Sequence, residues 1–142
     1  MPTDFKAKAS TTIHASADKV WEALTDPKQI KQYLFGTEAK SDWKKGSKIT
    51  YSGEWEGKKY EDKGEIVEII PQQILHTTYW SSMSGKEDKP ENYNNVVYEL
   101  SEMGDSTKLT ITQDNNATEE SAAHSEKNWN QVLESMKNLL ES

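Results

Sequence analysis

The chain has 142 residues, no cysteine and a formal net charge of −7, which suits one domain with a single core and excludes disulfides, thiol chemistry and cysteine-ligated zinc. Leucine, isoleucine, valine and phenylalanine form only about a sixth of the chain, close to the range of disordered proteins. Five tryptophans and six tyrosines can supply much of the missing apolar area, so we expect one folded domain over residues 1–142 with an aromatic-rich interior.

The N-terminal part predicts a strand followed at once by two short helices. The segment "FKAKASTTIHA" alternates between two faces from Phe5 onwards, which is typical of a half-buried strand. Ser16 can cap a first helix, and Asp26 with Pro27 repeats the start signal for a second helix that ends by Gly36.

The middle of the chain, from Thr37 to Asn115, has period two and predicts six further strands. Five of them are delimited by "SKITYSGEW", "YEDKGEIVEII", "QILHTTYW", "NVVYELSE" and "TKLTITQD". Short polar turns join most of these segments, which favours an antiparallel meander. The polar segment Ser81–Asn92 is long enough to be a mobile loop.

The C-terminal part predicts one long helix with Thr118 as its N-cap. A single apolar stripe runs along it, formed by Trp129, Val132, Leu133, Met136, Leu139 and Leu140. A helix of this length exceeds any of the strands and must lie across a curved sheet. The fold class is therefore α+β: a curved antiparallel sheet wrapped around the long C-terminal helix, with two short helices after strand 1. If Trp129 is fully buried there, truncation to alanine should cost roughly 3 to 5 kcal/mol.

Several segments carry a family resemblance through their order and spacing. They are "SADKVWEALTDPKQIKQY", "KKGSKITYSG", "KGEIVEIIPQQILHTTYW", "TKLTIT" and "NWNQVLESMKNLLE". Together they resemble the START-like helix-grip superfamily (SRPBCC, birch-pollen-allergen-like), in the subgroup similar to the C-terminal domain of the heat-shock-protein-90 ATPase activator. The chain departs from the subgroup at Asn128, where a glycine usually precedes the helix tryptophan, and at Tyr33 and Phe35, where a tryptophan pair is usual.

The resemblance implies a cavity between the long helix and the concave face of the sheet, which holds apolar small molecules in many relatives. The candidate ligand-binding residues are Ile30, Tyr33, Leu34, Tyr51, Trp55, Tyr79, Tyr98, Ile111, Trp129, Leu133 and Met136. The alternative is that these side chains simply fill the core. Tyr79 and Trp80 point to opposite faces, and the pattern does not say which one faces inward.

The sequence gives little support for a catalytic or metal-binding site. His14, His76 and His124 lie in three separate elements without metal-ligand spacing, so we predict no metal, cofactor or catalytic residue. His76, beside a pocket, could act as a general base but has no predicted partner. The carboxylates fit solvated faces.

Three functions remain open. The preferred one is a binding protein for an apolar small molecule, lipid-like or polyphenol-like. The alternatives are a protein-interaction module of the chaperone-activator type, in line with the stress response that the resemblance implies, and an enzyme similar to cyclases or hydrolases.

Charge and hydropathy limit the classes of partner that we expect for this chain. Acidic balance and scattered lysines disfavour nucleic acid, and the cluster Lys40, Lys44, Lys45 and Lys48 fits an exposed hairpin edge better than a phosphate site. No apolar run approaches membrane length, and the N-terminus lacks a signal-peptide pattern. We therefore expect a cytoplasmic protein without a membrane span.

Overall fold

The computed structural model describes residues 5–34, 36–55, 57–81, 87–116 and 118–141. Its elements follow the predicted order. They are β1 (Phe5–Ile13), α1 (Ala17–Thr25), α2 (Pro27–Tyr33), β2 (Glu38–Ser41), β3 (Lys48–Trp55), β4 (Lys58–Ile70), β5 (Ile74–Ser81), a short 3₁₀ helix (Pro90–Asn92), β6 (Asn94–Met103), β7 (Ser106–Asn116) and α3 (Glu119–Glu141). The predicted α+β helix-grip fold is confirmed.

Local sequence signals account for the ends of the helices. The side chains of Ser16 and Asp26 accept hydrogen bonds from backbone N–H groups of the first turns of α1 and α2, and Pro27 takes the first position of α2. Thr118 does the same for α3, since its hydroxyl oxygen lies 2.9 Å from the amide nitrogen of Ser121. All three predicted caps are therefore confirmed.

The described strands form one antiparallel sheet in the order β1-β7-β6-β5-β4-β3-β2. Strands β2 to β7 make a meander, and β1 returns to pair with β7. The four-residue β2, which the sequence pattern had not delimited, forms the edge beyond β3. The sheet curves because strands twist, and its concave face receives α3.

The core lies between α1, α2, α3 and this concave face. Its fully buried members include Ile13, Val20, Ile30, Leu109, Ile111, Leu133 and Met136. α3 packs along β1 in particular, and the Lys137 ammonium donates to the carbonyl of Thr12 at 2.9 Å. The predicted stripe of α3 thus faces the interior, with Leu133 and Met136 deepest.

Some expectations concern residues that the structure does not describe. The predicted mobile loop Ser81–Asn92 lies largely outside the described residues, although Ser81 belongs to β5 and Pro90–Asn92 form the 3₁₀ helix. Phe35 and the side chain of Trp55 also lie outside them. No helix of the described part is long and apolar enough to cross a membrane.

Candidate functional site

A cavity of about 300 Å³ lies between α3 and the concave face of the sheet, close to the C-terminal end of α2. Its wall includes eight of the side chains expected from the sequence: Tyr33, Leu34, Tyr51, Tyr79, Tyr98, Ile111, Trp129 and Met136. Their presence in the wall follows from two periodicities, the stripe of α3 and the inward-facing positions of the strands. Whether they contact a ligand stays a prediction.

Of the other three expected residues, two do not join this wall in the described structure. Ile30 and Leu133 are each 1% exposed and belong to the filled core. Leu133 is separated from the cavity because Val132 and Met136 occupy the side of α3 that faces it. Trp55 has no described side chain.

The sequence interpretation missed the non-aromatic polar residues of the wall and three of its aliphatic ones. The added residues are Leu24, Thr37, Asp62, Leu75, Thr77, Gln113, Ser125, Asn128 and Val132. The expectation that the carboxylates lie on solvated faces is wrong for Asp62. This residue pairs with Tyr51 across β3 and β4 and shares the inward face with buried Ile66. The available signal was the alternation along β4, which puts residues four positions apart on the same face.

One end of the cavity carries polar groups that satisfy one another. The indole N–H of Trp129 donates to Oε1 of Gln113 at 2.7 Å, and Nε2 of Gln113 lies 3.4 Å from Oγ of Ser125. Tyr98 meets the Trp129 ring edge to face, with centroids 5.9 Å apart. These contacts orient the tryptophan as a wall of the cavity.

The opposite end holds a carboxylate that is only partly satisfied. The Tyr79 hydroxyl donates to Oδ2 of Asp62 at 2.7 Å. The second oxygen, Oδ1, is buried and has no hydrogen-bond partner among the described residues. The described wall contains no lysine or histidine that could neutralise this carboxylate.

Four tyrosines surround the cavity as neutral phenols. Burial raises the pKa of Tyr33 and Tyr51 well above the ordinary value, and the phenol of Tyr98 adds to the effect on both. Burial also raises the pKa of Tyr98, and burial followed by the charge of Asp62 raises that of Tyr79. The hydroxyls therefore stay protonated at neutral pH, so they serve as hydrogen-bonding groups.

The structure decides which of Tyr79 and Trp80 faces inward. Tyr79 lines the cavity, whereas Trp80 stacks on Tyr93 at 6.5 Å between ring centroids, with the Lys63 ammonium 5.6 Å from its ring. Trp80 therefore belongs to the outer face of the sheet.

The sequence left open a general-base role for His76 beside a pocket, but His76 does not line this cavity. Its neighbours Leu75 and Thr77 line the cavity, so its own side chain points to the outer face, where Nε2 lies 3.0 Å from Oδ1 of Asn95. Within the described ranges, no three histidine or acidic side chains are grouped closely enough to hold a metal ion.

Comparison with known proteins finds a protein family that matches most of this chain. The sequence model for "Activator of Hsp90 ATPase homolog 1-like protein" matches residues 14–141. ChR145 from Cytophaga hutchinsonii is 47% identical, with a TM-score of 0.87 over 99% of this chain and 97% of that one. No curated protein sequence matches the chain.

More distant solved structures share the fold alone. The Aha1 dimer from Colwellia psychrerythraea is 20% identical, with a TM-score of 0.74 over 96% of both chains. CalU16 from Micromonospora echinospora is 21% identical, with a TM-score of 0.71 over 96% of this chain and 83% of that one.

Proposed function

We propose that this chain, which belongs to the Activator of Hsp90 ATPase homolog 1-like family, acts as a one-domain cytoplasmic protein that binds a largely apolar small molecule between α3 and the sheet. The observation that carries the proposal is the cavity of about 300 Å³ with an aromatic and aliphatic wall and a few polar groups. Small-molecule sites have this composition, and their volumes begin at about 300 Å³.

Packing physics supports a ligand in this space. Protein interiors are close-packed, and side chains around a void lose dispersion contacts on one side. The rings of Tyr98 and Trp129 form one wall of this void, and Ile111 and Met136 add aliphatic surface. A ligand with flat or aliphatic apolar surface would restore these contacts.

The proposal is tested by filling the cavity with a side chain. Met136 is 1% exposed and lines the cavity, so Met136→Trp should place an indole in the ligand space. The matched control is Met103→Trp, the same chemical change at a side chain that is 53% exposed at the end of β6. The probe is 1-methoxynaphthalene. Its binding is measured by calorimetry and by amide chemical shifts.

We expect the wild type and Met103→Trp to bind the probe with shifts in cavity-lining amides, and Met136→Trp to lose at least about 90% of the affinity. Thermal melts must show that Met136→Trp stays folded. Unchanged binding by a folded Met136→Trp, or shifts confined to surface amides, would contradict the proposal.

The family name also supports a second candidate, contact with a chaperone. Its test is addition of the chain to a purified Hsp90 with measurement of the ATPase rate. An increase in rate that Met136→Trp leaves intact would assign this function to the surface of the protein rather than to the cavity.

A further inference from the structure

The carboxylate of Asp62 stands out among the polar groups of the cavity wall. It lies on β4, between Tyr51 on β3 and Ser81 on β5 in the strand register. Its Oδ2 accepts the Tyr79 hydroxyl at 2.7 Å, while its Oδ1 is buried without a partner among the described residues. A buried acceptor left unsatisfied costs free energy, so such an atom calls for an explanation.

Two other polar residues of the wall already have hydrogen-bond partners. Gln113 accepts from the Trp129 indole at 2.7 Å, and the Thr37 hydroxyl donates to the Leu34 carbonyl at 2.7 Å and contacts the Tyr60 hydroxyl at 2.5 Å. The neighbouring cation does not serve Asp62 either, because the Lys63 ammonium forms an ion pair with Asp88. Oδ1 of Asp62 is thus a buried side-chain acceptor of the described wall that has no hydrogen-bond partner among the described residues.

We propose that the Asp62 carboxylate turns its unsatisfied Oδ1 toward a hydrogen-bond donor of the ligand, so that the cavity selects a mainly apolar molecule carrying a hydroxyl or ammonium donor at one end. This inference rests on the proposed function and specifies the ligand class of the same site. The donor points to the β3–β4 side, and the apolar body lies toward Tyr98, Trp129 and Met136. Hydrogen bonds to charged groups are among the stronger ones, and low dielectric surroundings strengthen them further.

The test compares three probes that share one ring system: 1-naphthol, 1-methoxynaphthalene and 1-naphthylmethylamine. The ether lacks the donor but has an extra methyl group, so burial alone would favour the ether over the naphthol. We expect the wild type to bind the naphthol or the amine at least about tenfold more tightly than the ether. The amine arm separates a charged donor from a neutral one.

Asp62→Asn provides the second comparison. The amide oxygen can still accept from Tyr79, which would turn the NH₂ group toward the ligand and replace an acceptor with a donor. We expect this variant to bind the ether as the wild type does but to lose the preference for the donor-bearing probes. Asp42→Asn, the same change at an exposed side chain outside the cavity, should retain the preference.

The outcomes separate this inference from the proposed function. Equal or tighter binding of the ether by the wild type, or an undiminished preference in folded Asp62→Asn, would overturn the role of Asp62 while the cavity remains a binding site. Failure of all three probes to bind would overturn both. If Asp62→Asn does not fold, the wild-type carboxyl carbon resonance of Asp62 decides, since it should shift with the naphthol or the amine and not with the ether.

Discussion

Trp129 on α3 donates its indole N–H to Oε1 of Gln113 on β7 at 2.7 Å, and this bond ties the long helix to the sheet beside the cavity. The indole is only half-buried because one side of the ring faces the cavity. The condition of full burial, on which the larger expected loss for Trp129→Ala depended, is therefore not met. We therefore expect Trp129→Ala to destabilise the protein by about 1 to 3 kcal/mol, less than a buried tryptophan would.

Trp129→Phe isolates the hydrogen bond, because a phenyl ring can keep the edge-to-face contact with Tyr98. The loss should be about 1 kcal/mol. Urea melts followed by circular dichroism measure it, and a double-mutant cycle with Gln113→Ala should give a coupling energy of about the same size. A coupling energy near zero would mean that the bond adds nothing to stability.

Leu133 and Val132 are neighbours on α3 with different roles. Leu133 is 1% exposed in the filled core, so Leu133→Ala should cost about 2 to 5 kcal/mol. The affinity of the Leu133→Ala variant for 1-methoxynaphthalene should remain within about twofold of wild type when measured well below the melting temperature. Val132→Ala, in the cavity wall, should cost less stability than Leu133→Ala but should lower the affinity for the probe more. The reverse pattern would place the ligand elsewhere.

The stability of the protein should fall steeply at alkaline pH. The pKa values of Tyr33, Tyr51, Tyr79 and Tyr98 are raised in the folded state, chiefly by burial. Their contribution is fully present below the ordinary tyrosine pKa of about 10 and is lost as the pH rises above it, because the unfolded chain then releases protons that the folded chain retains.

Each such tyrosine lowers the free energy of unfolding by at most roughly 1.4 kcal/mol per pH unit in that range. Urea melts at several pH values measure the slope, and Tyr98→Phe should make it shallower by about one proton. An equal slope in the two proteins would show that Tyr98 ionises without unfolding.

Gly64 on β4 allows β5 to approach closely. A Cβ atom at this position would lie 1.7 Å from the carbonyl oxygen of Thr78, which is backbone and cannot turn away. We expect Gly64→Ala to destabilise the protein by about 1 to 3 kcal/mol or more. The control is Gly53→Ala on β3, whose Cβ would meet side-chain atoms of Tyr60 rather than backbone, the nearest being the hydroxyl oxygen at 2.6 Å. Equal thermal melting of the two variants would contradict this difference.

The sequence by itself determined the order of elements and the class of the fold. Local physics suffices for this, because alternation marks strands, capping side chains mark helix starts, and one apolar stripe marks the buried face of α3. The family resemblance could then locate a space between α3 and the sheet, and eight of the eleven expected side chains do line it. Most of these are aromatic residues at inward positions of strands or on the stripe.

Only the tertiary structure decided the details that give the site its chemistry. Alternation says that Tyr79 and Trp80 face opposite ways, but the pairing of β5 with β4 and β6 sets which one is inside. The same register places Asp62 beside Tyr79 and His76 on the outer face. The stripe of α3 likewise cannot separate Leu133 in the core from Val132 at the cavity, because that depends on how the helix rests on the curved sheet. Register and helix seating arise from contacts between residues far apart in the chain, and local periodicity carries no information about them.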